Sequence, residues 1–377
     1  MFSAAMLARR ATTATKAHAR ALSSNLGCFP GTKMPFVPEM VFRDPRDDDL
    51  IPCSRSALSV ALDIATMDNI FYDAQRQGRI SFYMTSYGEE AISFGSAAAL
   101  RLSDMVFAQY REPGVLMWRG FTLQNFADQC FGNKEGHGKG RQMPVHYGSK
   151  SLNYQTISSP LATQLPQLAK EDRIAVSYFG EGAASEGDFH AALNFASTKD
   201  CPILYFCRNN GFAISTPTVD QFRGDGIASR GSGYGIPIMR VDGNDFLAVY
   251  EATRRAREFI LQENRPVLIE AMSYRQGHHS TSDDSTQYRA VAEIKHWKET
   301  CDPIDRTKRY LIKRGWLTEE QDRHMQDNER TNVLAALQQA EAVGPPDLDT
   351  MFEDVYDVKP PHLIAQGIAV AHRVEMA

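Results

Sequence analysis

The sequence predicts an α/β protein with a mainly parallel sheet covered by helices on both faces. IAVSYF (174–179), ILYFC (203–207) and VLIEAMSY (267–274) are short continuous apolar runs, the pattern of strands buried on both faces. Between them, Glu186–Thr198 and Asp245–Gln262 place apolar residues at helical steps of three and four. No internal repeat or low-complexity tract interrupts this alternation. In such sheets ligands bind beyond the carboxyl ends of the strands, so functional residues are expected just after the apolar runs.

Taken in order, the first 38 residues carry Arg9, Arg10, Lys16, Arg20 and Lys33 with no acid before Glu39, among Ala, Ser and Thr. That is the make-up of an organelle import peptide, assigned here to residues 1–34; a disordered basic arm has the same composition. A proline-bearing arm over 29–52 leads into a helix expected from Ser54 to Gln77, where Leu58, Ala61, Leu62, Ile64, Ala65, Met67 and Ile70 recur at helical spacing. A second helix, Gly88 to Leu100, is rich in small residues that permit close packing. After the strand–helix alternation, Pro303 opens a helix to Arg314 and Thr318–Glu341 forms a long polar one. The tail 344–377, with Pro345, Pro346, Pro360 and Pro361, is expected to wrap against a neighbour rather than enter the core. One domain over 35–343 results.

With 377 residues, 43% hydrophobic and 23% charged, the chain has a globular composition and enough length for a large core. No stretch approaches the roughly 20 apolar residues of a membrane span. A net charge of -5 gives no basic excess for nucleic acid. The six cysteines show no C-x-x-C, so neither a zinc site nor a disulfide framework is indicated.

Two turns carry the chemistry. Gly180-Glu181-Gly182 follows the first apolar run, and Arg208-Asn209-Asn210-Gly211 ends the second. Glycines beside an acid let the backbone approach a phosphate, and the acid can share a divalent cation with it. Asn210 offers a neutral oxygen to the same hard cation, Mg²⁺ by preference, and Arg208 suits a diphosphate oxygen. A helix starting near Ala183 would add its N-terminal amides. The absence of G-x-x-x-x-G-K-[ST] argues against a nucleotide triphosphatase.

These turns resemble the thiamine diphosphate signature, GDG followed some 30 residues later by NN, with Glu181 in place of the usual Asp. QGRISFYMTSYGEEA (77–91), QYREPGVLMWRG (109–120), GKGRQMPVHYGSK (138–150), ISSPLATQLPQ (157–167), GEGAASEGDFHAALNFA (180–196), CRNNGFAISTPT (207–218), RGDGIASRGSGYGI (223–236) and GHHSTSDDS (277–285) are similar to the alpha subunit of the branched-chain 2-oxo acid dehydrogenase. The resemblance runs along nearly the whole chain from about residue 35. It implies a thiamine diphosphate-binding fold in the mitochondrial matrix. The cofactor would be contacted by Tyr110, Arg111, Ser159, Leu161, Gly182, Ala183 and Arg208. Mg²⁺ would be held by Glu181, Asn210 and the carbonyl of Phe212, and K⁺ by Ser158, Pro160, Thr163 and Gln164. Phe212 stands where the family usually has Tyr, a swap that keeps a main-chain ligand and loses a phenol. Implied partners are a beta subunit in an alpha2-beta2 assembly, a lipoyl-bearing acyltransferase core, and a regulatory kinase and phosphatase. Pyruvate- or acetoin-type alpha subunits, and an inactive alpha-like scaffold, are the alternatives.

RQGHHSTSDDS (275–285) is a metal site, a catalytic histidine, a modified serine or a plain loop. Adjacent residues of an extended segment point to opposite sides, which disfavours chelation by His278 and His279 together. By resemblance, His279 faces the reacting end of the cofactor as a group titrating near neutrality, His278 orients the loop, and Ser280 is a phosphorylation site. A second family serine corresponds to Ala290. The chain is also shorter than the family between Gln164 and Ile174, where a helix of two to three further turns is expected.

Overall fold

The computed structural model describes residues 47–156 and 173–375. The import-peptide assignment, most of the arm, the K⁺ residues Ser158, Pro160, Thr163 and Gln164, the cofactor residues Ser159 and Leu161, and nearly all of the shortened segment lie outside the described residues.

Seven strands form the main sheet: β1 (Met105–Ala108), β2 (Gly148–Ser149), β3 (Tyr154–Thr156), β4 (Ala175–Gly180), β5 (Ile203–Asn209), β8 (Ile238–Asp242) and β9 (Val267–Met272), in the order β2-β3-β1-β4-β5-β9-β8. Every neighbouring pair is parallel except β2–β3. A separate hairpin joins β6 (Phe212–Ala213) to β7 (Thr216–Pro217). From β1 the chain runs to one side through β2 and β3, then crosses to β4 on the other. The crevice beyond the carboxyl ends of β1 and β4 is therefore a topological switch point.

The continuous apolar runs are explained by two cores. Leu204 and Phe206 face one with Val176, Tyr178 and Ile269, while Ile203, Tyr205 and Cys207 face the other with Ala175, Phe179 and Leu268. Both faces being covered removes the usual polar-out alternation. Each such side chain contributes roughly 1.5–3 kcal/mol by leaving water. Small residues do what their pattern suggested: a Cβ on Gly95 would lie 2.9 Å from the Phe246 carbonyl and 3.0 Å from Val249 Cβ, so the helices Glu90–Ala99 and Phe246–Glu263 touch at backbone distance.

The structure departs from the sequence expectations in two places. β1, β3 and β8, and the helices Pro113–Trp118, Leu123–Phe131 and Val291–Cys301, are additions to the expected elements, because strands of three to five residues leave too short a pattern to read. The residues after Gly182 form a three-residue 3₁₀ turn, Ala183–Ser185, and the α-helix begins only at Gly187, so its dipole acts one turn further from the strand end than expected. The sequence leaves the local structure of the tail open. The tail forms a helix, Pro361–Glu375, and its upstream carbonyls at Thr350 and Glu353 accept from Arg141 of the same chain.

Asp68 ties the first helix (Asp47–Arg76) to the loop that leads into the site. It is fully buried and accepts from Tyr83 Oη (2.9 Å) and Ser86 N (2.5 Å). Burial pushes its carboxyl from 3.8 up to about 7 against the opposing pull of the Ser86 amide, the Tyr83 hydroxyl and Arg111. Between those values the folded state keeps a proton that the unfolded chain has released, so this group's contribution to stability falls as pH rises through the window and is constant above it. Asp68→Asn mimics the protonated form. Relative to the parent its melting temperature is expected to be nearly unchanged at pH 4.5 and higher by several degrees at pH 8, as read by differential scanning calorimetry. A difference that does not grow with pH would contradict the assignment.

Candidate active site

Five segments converge at the carboxyl edge of the sheet. Gln109–Glu112 follows β1, Gly180–Ala183 follows β4, Arg208–Phe212 ends β5, Arg275–Arg289 follows β9, and Thr85–Glu89 precedes the helix Glu90–Ala99. β4 and β5 pair in register with Gly180 opposite Arg208, and Glu181 N donates to the Arg208 carbonyl (3.1 Å). That register places the two predicted turns side by side. Asn210 N donates to Glu181 Oε2 (3.4 Å), while Glu181 Oε1 is buried without a hydrogen-bond partner. Burial, with Glu89 nearby, pushes the Glu181 carboxyl up to about 7 even though its backbone bonds and Arg208 oppose the shift. An orphaned buried carboxylate oxygen beside an amide and the Phe212 main chain would suit a hard cation that binds few protein ligands. Gly182 is required by packing here, since a Cβ would lie 2.7 Å from Ala213 Cβ of the β6–β7 hairpin.

Above the turns lies buried positive charge. Arg208 is held by Glu112 Oε1 (2.5 Å), Glu89 Oε2 (2.7 Å) and Gln109 Oε1 (3.1 Å). Arg111 reaches the carbonyls of Thr85 and His279 and stands 3.5 Å from Glu89. Arg275 is bound by the carbonyls of Phe212 (3.4 Å) and Ile214 (2.6 Å) and the Tyr288 hydroxyl (2.8 Å), and Arg289 by those of Arg275 and Gly277. Among the described residues neither Arg275 nor Arg289 forms an ion pair, though both are buried. Uncompensated buried guanidinium is costly unless an anion completes it.

His279 sits within this charge. Its Nδ1 lies 3.4 Å from Arg111 Nη2 and 3.4 Å from Arg275 Nη1, and Tyr110 meets its ring edge-on with centroids 6.0 Å apart. Guanidinium groups only donate, so Nδ1 accepts and the ring proton resides on Nε2. Burial, then Arg111 and Arg275, drive the imidazole from 6.5 down to about 3. The imidazole thus lies below the expected near-neutral range, because burial and the two cations that face the ring outweigh Asp283. His278 turns elsewhere, its Nδ1 accepting from Ser285 N (3.0 Å), which closes the loop. Ser280 is 8% exposed, with its Oγ accepting from Ser282 N.

Dehydrogenase E1 components, a family dependent on thiamine diphosphate, match residues 60–349 of the chain. The chain belongs to that family. It is 50% identical over 378 residues to "2-oxoisovalerate dehydrogenase subunit alpha 2, mitochondrial" of Arabidopsis thaliana, covering 92% of this chain and 80% of the relative. It is 55% identical over 319 residues to the mitochondrial 2-oxoisovalerate dehydrogenase subunit alpha of Mus musculus, with 82% and 72% covered, and 56% over 315 residues to that of Dictyostelium discoideum, with 81% and 71% covered.

In this E1 chain the structure brings together Tyr110, Arg111, Glu181, Gly182, Ala183, Arg208, Asn210, Phe212 and His279 of the expected residues. Sequence reasoning passed over Glu89, Glu112, Arg275, Asp283, Tyr288 and Arg289 as individual site members. Acids and arginines in loops, as most of them are, equally describe a solvated surface. Phe212, in place of a tyrosine, packs its ring under Arg289 (5.3 Å) and edge-on to Tyr274 (6.3 Å), so the swap leaves an apolar contact at that point.

The depressed imidazole makes a direct prediction. An anion placed between Arg111 and Arg275 offsets the two cations and favours imidazolium, so the His279 pKa should rise by at least one unit when pyrophosphate binds. Histidine hydrogen–deuterium exchange followed by mass spectrometry, with and without pyrophosphate, measures it. An unchanged or lowered value would contradict an anion site at this point.

Proposed function

We propose that the chain is the alpha subunit of a branched-chain 2-oxo acid dehydrogenase in the mitochondrial matrix, joining a beta subunit in an alpha2-beta2 assembly. That assembly would decarboxylate branched 2-oxo acids and pass the acyl group to a lipoyl carrier on an acyltransferase core. The observation that supports the site's part in this is the apposition of Glu181 and Asn210 at adjacent strand ends, near Arg275 and Arg289, which are buried and form no ion pair among the described residues. The relatives' names supply the substrate class.

The residues present fit thiamine diphosphate with Mg²⁺. Glu181, Asn210 and the Phe212 carbonyl would hold the cation, and Tyr110, Arg111, Gly182, Ala183 and Arg208 the diphosphate end. Ser159 and Leu161, with the K⁺ set, complete the proposed binding residues. When bound, the cofactor supplies the carbanion and electron sink for decarboxylation. The chain's own contribution is placement and proton control. Arg111 and Arg275 neutralise negative charge, Tyr110 and Phe212 exclude water, and His279 presents Nε2–H as a donor beside the anion. With Nδ1 turned to the guanidinium donors, the neutral ring keeps Nε2–H available as a hydrogen-bond donor to negative charge that develops beside it. The acid that activates the cofactor's ring is assigned to the beta subunit, which would leave this chain inactive alone.

Ser280 is proposed as the site of kinase and phosphatase control. A phosphate there adds about -1.5 to -2 charges next to His279, in a position with little free space, and would drive the loop from its place.

Co-production with the beta subunit tests the reading. 2-Oxoisovalerate should be decarboxylated at least tenfold faster than pyruvate, only with thiamine diphosphate and Mg²⁺ present. Equal rates would point to a pyruvate-type enzyme. Ser280→Glu in that assembly should lower acyl transfer to the lipoyl carrier more than tenfold, and a parent-like rate would remove the regulatory role.

A further inference from the structure

Glu89 is fully buried, lies on none of the strands, and binds across the site rather than to its own neighbours. Its two oxygens face different partners: Oε2 accepts from Arg208 Nη1 (2.7 Å), and Oε1 accepts from Asn210 Nδ2 (2.9 Å). Arg111 Nε lies 3.5 Å from Oε1. Flanked by two guanidinium groups, Glu89 stays a carboxylate and has no proton to donate.

This matters because an asparagine side chain is nearly symmetric in shape and opposite in chemistry at its two ends. With its oxygen toward the cation site, Asn210 is a ligand; turned by 180°, it presents an NH₂ group and repels the cation. A carboxylate at Oε1 tolerates only the NH₂ end. The oxygen is thereby kept on the other side, where Asn210 Oδ1 accepts from Phe212 N (3.2 Å) in the turn that also carries the Phe212 carbonyl. We propose that Glu89 is a positioning residue for the cation site, selecting the orientation of the Asn210 amide and linking it to both diphosphate-facing arginines. The proposal rests on the Mg²⁺ and thiamine diphosphate reading above.

Glu89 is itself placed by its neighbour. Gly88 has a φ of +88°, and a Cβ there would meet the Tyr274 carbonyl at 2.2 Å, so the chain passes this point only without a side chain. Glu90, next along, is turned back to accept from Gly88 N (2.8 Å), and Glu89 alone faces the site.

A polarity swap separates this role from simple packing. Four assemblies made with the beta subunit are compared: parent, Glu89→Gln, Asn210→Asp, and the double variant. Mg²⁺ is titrated at fixed thiamine diphosphate, and binding is followed by calorimetry, with thermal unfolding as a check on assembly. Glu89→Gln, able to donate and so to accept either amide orientation, should raise the half-saturating Mg²⁺ concentration about tenfold. Asn210→Asp sets two carboxylates face to face and should raise it more. In the double variant the introduced amide can donate to the introduced carboxylate, and at least tenfold of the Asn210→Asp loss should return. Parent-like Mg²⁺ binding by Glu89→Gln, or a double variant no better than Asn210→Asp, overturns the proposal. Should Glu89→Gln fail to assemble, recovery of assembly and Mg²⁺ binding in the double variant supports the role and continued failure overturns it. If the parent assembly binds no Mg²⁺ with thiamine diphosphate, the cofactor reading itself is lost.

Discussion

Gly180 of β4 lies opposite Arg208 of β5, and from that one register the site follows. The two strands end together, so the turns that leave them emerge side by side, with Glu181 N bonded to the Arg208 carbonyl and Asn210 N to Glu181 Oε2. A slip of one residue would exchange the faces of β5 and send Leu204 and Phe206 into the wrong core. The hydrophobic layers on both sides of the sheet therefore protect the geometry of the polar residues at its edge. Crossing of the chain from β3 to β4 then opens the crevice beside β1, where Tyr110 and Arg111 enter.

Charge is concentrated in that crevice at a cost. Arg111, Arg208, Arg275 and Arg289 are all buried, with Glu89 and Glu112 as the carboxylates that hold Arg208. The excess shows at His279, where burial and then Arg111 and Arg275 hold the imidazole neutral; at Glu181 burial outweighs the opposing arginines and raises the carboxyl to about 7. A dianionic ligand together with a divalent cation would resolve both: the anion completes the arginines and the cation completes the carboxylate. Interactions prepared in this way need little rearrangement when the ligand arrives, which is how a site gains electrostatic strength in a low-dielectric setting.

The loop after β9 links the two halves. Arg275 touches the carbonyls of Phe212 and Ile214 on one side and His279 on the other, and Asp283 accepts from both the His279 amide and the Tyr288 hydroxyl. The Phe212 turn and His279 thus share one network, and Ser280 adjoins it through its carbonyl, which accepts from Asp283 N.

Much of this was legible before any coordinates. Continuous apolar runs identify strands covered on both faces, because little but burial accounts for a stretch such as ILYFC with no polar position in it. Turns bearing Gly-Glu-Gly and Asn-Asn-Gly at the ends of those runs point to a phosphate and cation edge, because the residue types suited to one are few. Local chemistry of this kind is written in adjacent residues. The strand order, by contrast, and with it the company of Glu89, Glu112, Arg275 and Arg289, depends on contacts between segments far apart in the chain. Arg208 and Glu89 are 119 positions apart and meet at 2.7 Å. The sequence by itself determined which side chains could bind a diphosphate and a metal; tertiary packing alone decided which carboxylate holds which arginine, which way the Asn210 amide faces, and that His279 is neutral, since burial and the approach of distant charges exist only once the sheet and its helices have closed.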